Sequence, residues 1–402
     1  MSSPNPRQHR NFCKRLHVGT FYGLSSAVKS RTKATGEQKP TKMVRLMPGK
    51  RAKQPKLKKK AGVFDVAREA GVSVATVSRA FNLPDIVSED VRRRVLATAQ
   101  NLGYAANPAA KALRSRKTHI VGAAIPTLDY AIFAKMINHF QDSFAQHGYM
   151  TIVATTGFEH ANVFEKVKTL VDRGAEALLL VGAIEDPALV SYLKRPHIPV
   201  VTTYSYLPDE IVPCIGFDNY AATESAMEYL ADLGHRNFAM IAGSPKGSDR
   251  QRARIAAYKD FVGSRNLHGA ANIIIRNFTI RDGTEAIRAI LDKYPETTAV
   301  VCNTDVMAFG ALSESRRLGI RVPQDISIVG FDDAEYAAQL EPPLTTIAVP
   351  AEEMGRLAAE MLHSSLSNGE PPRFVRLDSH LIVRKSACPP RALKQLRLAA
   401  AV

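Results

Sequence analysis

From residue 64 to about 106, apolar side chains recur at helical spacing; beyond 120 they gather into short runs divided by amphipathic stretches. FDVAREAG (64–71) places Phe64, Ala67 and Ala70 on one face and is interrupted at Gly71. VSVATVSRAFN (72–82) resumes with Val74, Val77 and Phe81, and Ser73 stands where a side-chain oxygen caps this second helix. SEDVRRRVLATAQNLGY (88–104) begins with Ser88 as N-cap, puts Glu89 and Asp90 in the first turn, carries the stripe Val91, Val95, Ala99 and Leu102, and stops at Gly103. Three short helices with a tight glycine turn between the first two predict a helix-turn-helix head.

After a proline-interrupted stretch, nine strands are predicted: 120–125, 150–155, 177–182, 198–203, 238–243, 272–276, 299–303, 326–331 and 380–384. Helix-length amphipathic segments such as 134–148 and 221–234 lie between most of them. Buried strands alternating with helices imply parallel sheets in an α/β fold. More than 250 residues of this texture predict two lobes rather than one sheet, with a ligand expected outside the carboxyl ends of the strands.

Charge changes the picture at one end. Residues 1–60 hold 17 Lys/Arg and one acid, Glu37, and end in KRAKQPKLKKK (50–60) without a hydrophobic period. Such a composition is expected to stay solvated. Three readings are open: a non-specific DNA-binding arm, a solvated tail without a task, or an untranslated stretch upstream of a start at Met43 or Met47, the last favoured because a start shortly before the head is economical. Residues 61–117 hold nine basic and five acidic residues, so the basic field that would draw a polyanion belongs to the first 117 residues. No apolar run approaches the roughly 18 residues of a membrane span, and no secretory pattern opens the chain, so a cytoplasmic protein is expected. Cys13, Cys214, Cys302 and Cys388 are too scattered to predict a zinc site or disulfide framework.

FDVAREAGVSVATVSRAFN (64–82) followed by VSEDVRRRVLATAQNLGYAANPAAKALRSRKT (87–118) resembles the head and hinge of the lac repressor (LacI/GalR) family. LGHRNFAMIAG (233–243), DVMAFGAL (305–312), VPQDISIVGFDD (322–333) and PPLTTIAVP (342–350) extend the likeness, in order, from about residue 62 to 386. The resemblance implies a recognition helix in the major groove that opens near Ser73, with Val74, Ala75 and Ser78 facing bases and Arg79 close behind. Thr76 and Asn82 fall at phosphate-binding positions, and the small apolar Val74 and Ala75 offer methyl contacts, for instance to thymine. Gly62 stands where the family usually has a capping Thr. Residues 107–117 resemble the hinge helix, in which Leu113 would wedge into a central base step from the minor groove. Tyr104, Asn107 and Ala110 would line that groove, with Arg114 and Arg116 offsetting phosphate charge. From the residues alone, a plain linker is the alternative.

The same resemblance implies a core like periplasmic sugar-binding proteins, with an effector between the lobes. Arg254 and Asp332 match polar anchors for hydroxyls or a carboxylate, Ile132, Phe133 and Phe278 match apolar walls, and Thr127 and Tyr204 match further polar contacts. Thr304 replaces the Asn common beside Asp305. GFDNYAA (216–222) leans toward a gluconate-type ligand within the expected class of sugars and sugar acids. The expected partners are a pseudo-palindromic double-stranded operator, a small-molecule effector and a second copy of the chain, with no cofactor and no metal. PPRALKQLRLAAAV (389–402) is too short for a tetramerising heptad coil, so a homodimer is expected. The implied divisions are 1–60 extension, 61–106 head, 107–118 hinge, 119–386 core and 387–402 tail.

Two rival classes compete with this reading. HExxH, GxSxG and Walker A patterns are absent, GSPKGSDR (243–250) lacks the GK[ST] ending, and Ser191 with Lys194 makes only an isolated SxxK match, so an enzyme is not expected. A non-specific architectural DNA binder would explain the basic tail but leave the near-neutral core without purpose.

Overall fold

The computed structural model describes residues 61–105, 117–158, 162–194 and 198–391. In the head, α1 (Val63–Glu69), α2 (Val74–Asn82) and α3 (Glu89–Asn101) follow the predicted order, with a 3-10 turn at Pro84–Ile86. Val66, Ala67, Ala70, Val77, Ala80, Val95 and Ala99 form its core. Phe64 does not join them; it is 74% exposed. The buried face of α1 is Val63, Val66, Ala67 and Ala70, the i, i+3, i+4, i+7 set, and Phe64 lies beside that stripe. Leu102 is likewise exposed, and Tyr104 packs in its stead. Gly71 makes the turn between α1 and α2 at φ 64, a conformation that favours glycine.

Caps follow local chemistry. Ser73 Oγ accepts from the Thr76 amide at 3.1 Å, as predicted. Ser88 occupies the N-cap position of α3 but makes no side-chain cap bond. At α1 the missing side chain of Gly62 is offset from the other direction, because the Asp65 carboxylate accepts from the Gly62 amide at 2.9 Å.

Two six-stranded sheets follow. The strands are β1 (Ile120–Ile125), β2 (Met150–Thr155), β3 (Ala175–Val181), β4 (Val200–Thr203), β5 (Cys214–Gly216), β6 (Phe238–Ala242), β7 (Ile273–Ile275), β8 (Ala299–Cys302), β9 (Ser327–Asp332), β10 (Thr345–Ala348), β11 (Val375–Arg376) and β12 (His380–Ile382). The N-terminal lobe has the order β11-β5-β4-β3-β1-β2, all parallel. The C-terminal lobe has β12-β10-β9-β8-β6-β7, parallel except where β12 runs against β10. All nine predicted strands are present; β5, β10 and β11 are additional, short segments without a long apolar run.

The helices are α4 (Ala131–Ala145), α5 (Val163–Asp172), α6 (Pro187–Leu193), α7 (Asn219–Asp232), α8 (Asp249–Ser264), α9 (Ile280–Lys293), α10 (Asp305–Arg317) and α11 (Ala351–Asn368). Phe133, Met136, Ile137, Phe140 and Phe144 give α4 a buried stripe that packs on α11, whose own stripe is Met354, Ala358 and Leu362. The chain therefore crosses between lobes three times: from β5 to β6, from β10 back to α11, and from β11 to β12. Among the described residues, no helix is long and apolar enough to cross a membrane.

Candidate functional site

Two regions carry the predicted site residues. In the head, Ser73, Ala75 and Arg79 are exposed along α2, while Val74, Thr76, Ser78 and Asn82 are half-buried. Val74 leans against the head core, so its methyls serve packing as well as any outward contact. Thr76 Oγ1 lies 2.9 Å from Ser73 Oγ, and Asn82 Nδ2 donates to the Ser78 carbonyl at 2.8 Å. Tyr104 meets Phe81 edge to face at 5.9 Å. Asn107, Ala110, Leu113 and Arg114 lie outside the described residues.

The second region is the cleft at the carboxyl ends of the strands. Six of the seven predicted residues line one cavity there: Ile132, Phe133, Tyr204, Arg254, Phe278 and Asp332. Thr127 does not; its hydroxyl is turned to Asp129, donating to the carboxylate at 3.1 Å and accepting from the amide at 3.0 Å. Arg254, on α8, is buried with its guanidinium stacked 3.4 Å above the centre of the Phe331 ring. Its Nε donates to Asn219 Oδ1 at 2.9 Å and its Nη1 to the Asn303 carbonyl at 2.8 Å. Burial lowers its pKa to about 10, partly opposed by Asp332, which leaves it cationic at neutral pH.

Asp332 ends β9 with φ 118, followed by Asp333 at φ 50, a backbone rarely adopted by non-glycine residues and the kind of strain that gathers at functional sites. Burial pushes its carboxyl well above the usual range, against the pull of Arg254. Behind it, Asp305 accepts from Thr346 Oγ1 at 2.6 Å and from the Ala334 amide at 2.8 Å, and burial raises it to about 7 despite those bonds. Tyr204, held at φ 73, donates to the Ile132 carbonyl at 2.7 Å, and its ring meets Phe133 at 5.1 Å.

Among the described residues, polar contacts that join the lobes include Tyr130 donating to the Phe278 carbonyl, Ser205 donating to Asp249, Arg252 pairing with Glu185, and Asn219 Nδ2 donating to the Tyr204 carbonyl at 2.8 Å. Tyr130, Phe158 and Phe278 close the mouth as an aromatic cluster, with Phe158 and Phe278 4.4 Å apart.

A profile described as bacterial regulatory proteins, lacI family, matches residues 63–107, and one described as a periplasmic binding protein-like domain matches residues 227–387. The HTH-type transcriptional repressor CytR of Escherichia coli (strain K12) is 33% identical over 331 residues, which are 81% of this chain and 96% of that protein. This chain belongs to the lacI family. The ribose operon repressor of Haemophilus influenzae is 31% identical over 333 residues, 81% of this chain and 98% of that relative. Among solved structures, the lac repressor dimer bound to operator and the anti-inducer ONPF superposes with a TM-score of 0.71 at 26% identity, covering 82% of this chain and all of that one.

In this lacI-family chain, sequence reasoning missed several residues that line the cleft: Tyr130, Phe158, Ser248, Arg250, Gln251 and Thr304. Arg250 precedes Arg254 by one helical turn, so the i, i+4 spacing on α8 was a usable signal. Gln251 accepts from both the Gly243 amide and Asn303 Nδ2. Thr304 caps α10 through Met307, a local role that a capping residue before DVMAFG also announces.

Proposed function

We propose that the chain is a sequence-specific transcriptional repressor that reads a pseudo-palindromic operator as a homodimer and whose affinity is set by a small polar effector, a sugar or sugar acid, held between the lobes. One observation carries this reading. A single chain joins a helix-turn-helix, whose α2 exposes Ala75 and Arg79, to a cleft lined by Arg254 and Asp332 below an aromatic mouth. The relatives named for transcriptional repression, for a ribose operon and for a dimer on its operator support it.

In the head, Val74, Ala75 and Ser78 face base edges with Arg79 close behind, Ser73 opens the recognition helix, and Thr76 and Asn82 lie toward phosphates. Tyr104, Asn107 and Ala110 line the minor groove, Leu113 wedges into a central base step, and Arg114 offsets phosphate charge. In the core, Arg254 and Asp332 hold the hydroxyls or carboxylate of the effector, and the aromatic residues cover its faces. An effector changes operator affinity only as far as it binds two lobe arrangements unequally, commonly by about 1–3 kcal/mol. No catalytic role is assigned to any residue, and the site of action is the cytoplasm.

The test is binding-site selection from genomic DNA in moderate salt, with the full chain and with a chain starting at Met47. A pseudo-palindrome shared by both is the expected result. Binding without sequence preference, lost in the shorter chain, would assign the activity to the basic tail instead. Leu113→Ala is expected to lose specific but not non-specific affinity, and Asp332→Ala to keep operator binding while losing the effector response.

A further inference from the structure

The cleft does not stop at the Arg254–Asp332 chamber. That inner chamber has only about 40 Å3 of free space, whereas pockets that enclose small ligands commonly run to about 300–1,000 Å3. Beside it, at the carboxyl ends of β1 and β3, is an outer chamber of about 480 Å3. The two share one wall. Gly182 and Gly247 face the outer chamber, and Arg250 and Ser248 face the inner one.

At Gly182 the wall is a close contact of backbone with side chain. Gly182 sits at φ 80, and a Cβ there would overlap the Arg250 guanidinium, so that side chain lies flat on bare backbone. Arg250 is 7% exposed and tied to Asp249 at 3.1 Å through one guanidinium nitrogen. The Asp249 carboxylate also lies against Gly182, paired with Arg250 and accepting from Ser205, so a joint movement of Arg250 and Asp249 would join the chambers.

The chemistry of the two sides differs. Among its described lining residues, every charged side chain of the outer chamber is a carboxylate: Glu165, Glu185 and Asp186. Glu185 is paired with Arg252 and Asp186 caps α6 through the Ala188 amide, so Glu165 and the remaining carboxylate oxygens are the acceptors this rim offers to hydroxyls. Phe164, Ile184 and Leu189 add an apolar wall suited to the face of a ring.

We infer that the effector spans both chambers as two linked rings, the inner one on Arg254 and Asp332 and the outer one an uncharged, hydroxyl-rich ring under the carboxylate rim, with Arg250 between them. This rests on the cleft being the effector site. It selects a disaccharide-sized ligand over a single sugar or a sugar acid.

The experiment uses the full chain with cellobiose, maltose and lactose, against glucose and gluconate, read by calorimetric affinity and by the change in operator binding. Ala183, half-buried in the outer wall, is replaced to fill that chamber. At least one disaccharide is expected to bind and to alter operator affinity. Ala183→Leu should weaken it about tenfold and Ala183→Trp more, while ligand-free operator binding in both variants matches the parent and reports that they fold. Glucose or gluconate acting equally on the parent and both variants would overturn the two-ring inference but leave the cleft reading intact. Failure of all three disaccharides to bind the parent would also overturn it. A disaccharide that binds Asp332→Ala as well as the parent would overturn the cleft reading itself.

Discussion

Across the inner chamber the two lobes offer unlike chemistry. The C-terminal lobe supplies ions: Arg250, Arg254 and Asp332, with Asp305 behind them. The N-terminal lobe supplies Tyr130, Ile132, Phe133, Phe158 and Tyr204, apolar faces with hydroxyl tips. Buried charges are tolerated only where fixed partners surround them, and Arg254 is braced by Asn219, the Asn303 carbonyl and the Phe331 ring. Aromatic surface needs no such bracing and can slide. On the proposed reading, the C-terminal lobe would act as the anchor and the N-terminal lobe as the cover, and an effector fixed to the first would report its presence by where it holds the second.

The sharpest break of this contrast is Arg254→Ala. It strands Asn219 Oδ1 and the Asn303 carbonyl and removes one of the two cations, with Arg250, that favour the Asp332 carboxylate, so a loss of about 3–5 kcal/mol is expected, with effector binding abolished. Urea denaturation followed at neutral pH checks the first part and calorimetry the second.

Next in size is a pH effect confined to the anchor lobe. His235 is buried, with its ring nitrogens against Thr298 at 2.9 Å and Ser327 at 3.0 Å, and burial lowers its pKa to about 4. The unfolded chain, with histidine near its ordinary value of about 6.5, binds the proton first. This residue thus costs the folded state stability as pH falls from about 6.5 to 4, by up to about 3 kcal/mol. Asp305, raised to about 7, acts oppositely: the folded state takes up its proton first, so stability is lost as pH rises from the ordinary carboxylate range to about 7. The stability of the parent relative to His235→Gln is expected to fall on acidification, and relative to Asp305→Asn to rise. Urea midpoints at pH 4.5 and 7 measure both, and equal shifts for the two variants would remove the argument.

Tyr130→Phe tests the cover. Losing its bond to the Phe278 carbonyl should cost about 1 kcal/mol and loosen the lobes, seen as faster amide exchange at the cleft mouth without loss of effector contacts on Arg254. Phe64→Ser, at an exposed position on α1, should change stability by no more than about 0.5 kcal/mol, whereas Val66→Ser in the same helix should unfold the head.

Legibility in the sequence followed the same contrast. Apolar runs announced nine strands; six are buried and leave an unbroken signal, whereas β2, β7 and β12 are edge strands that stay partly exposed. β5, β10 and β11 are too short to leave one. Periodicity placed the head helices but misassigned Phe64, since i, i+3, i+6 drifts off the face that i, i+3, i+4, i+7 holds. In the cleft, Arg254, Asp332, Tyr204, Phe278, Ile132 and Phe133 were found through family likeness at their positions, and all meet in one cavity. Thr127 failed because an Asp two residues on satisfies its hydroxyl locally, a competition between near and far partners that sequence spacing alone did not resolve. Tyr130 and Phe158 escaped because they come from loop ends, where no period points to the cleft.

The three crossings between the lobes also govern the order in which the protein can be completed as it is made. The N-terminal lobe begins at β1 but needs α11 to cover α4 and β11 to finish its sheet, and these are among the last elements to emerge from the ribosome. Until residues 351–376 are free, that lobe holds an uncovered apolar stripe on α4 while the head, complete long before, is already able to meet DNA. A message that stops before α11 would then yield a head without a governed core, so the end of the chain decides whether the beginning answers to a metabolite at all.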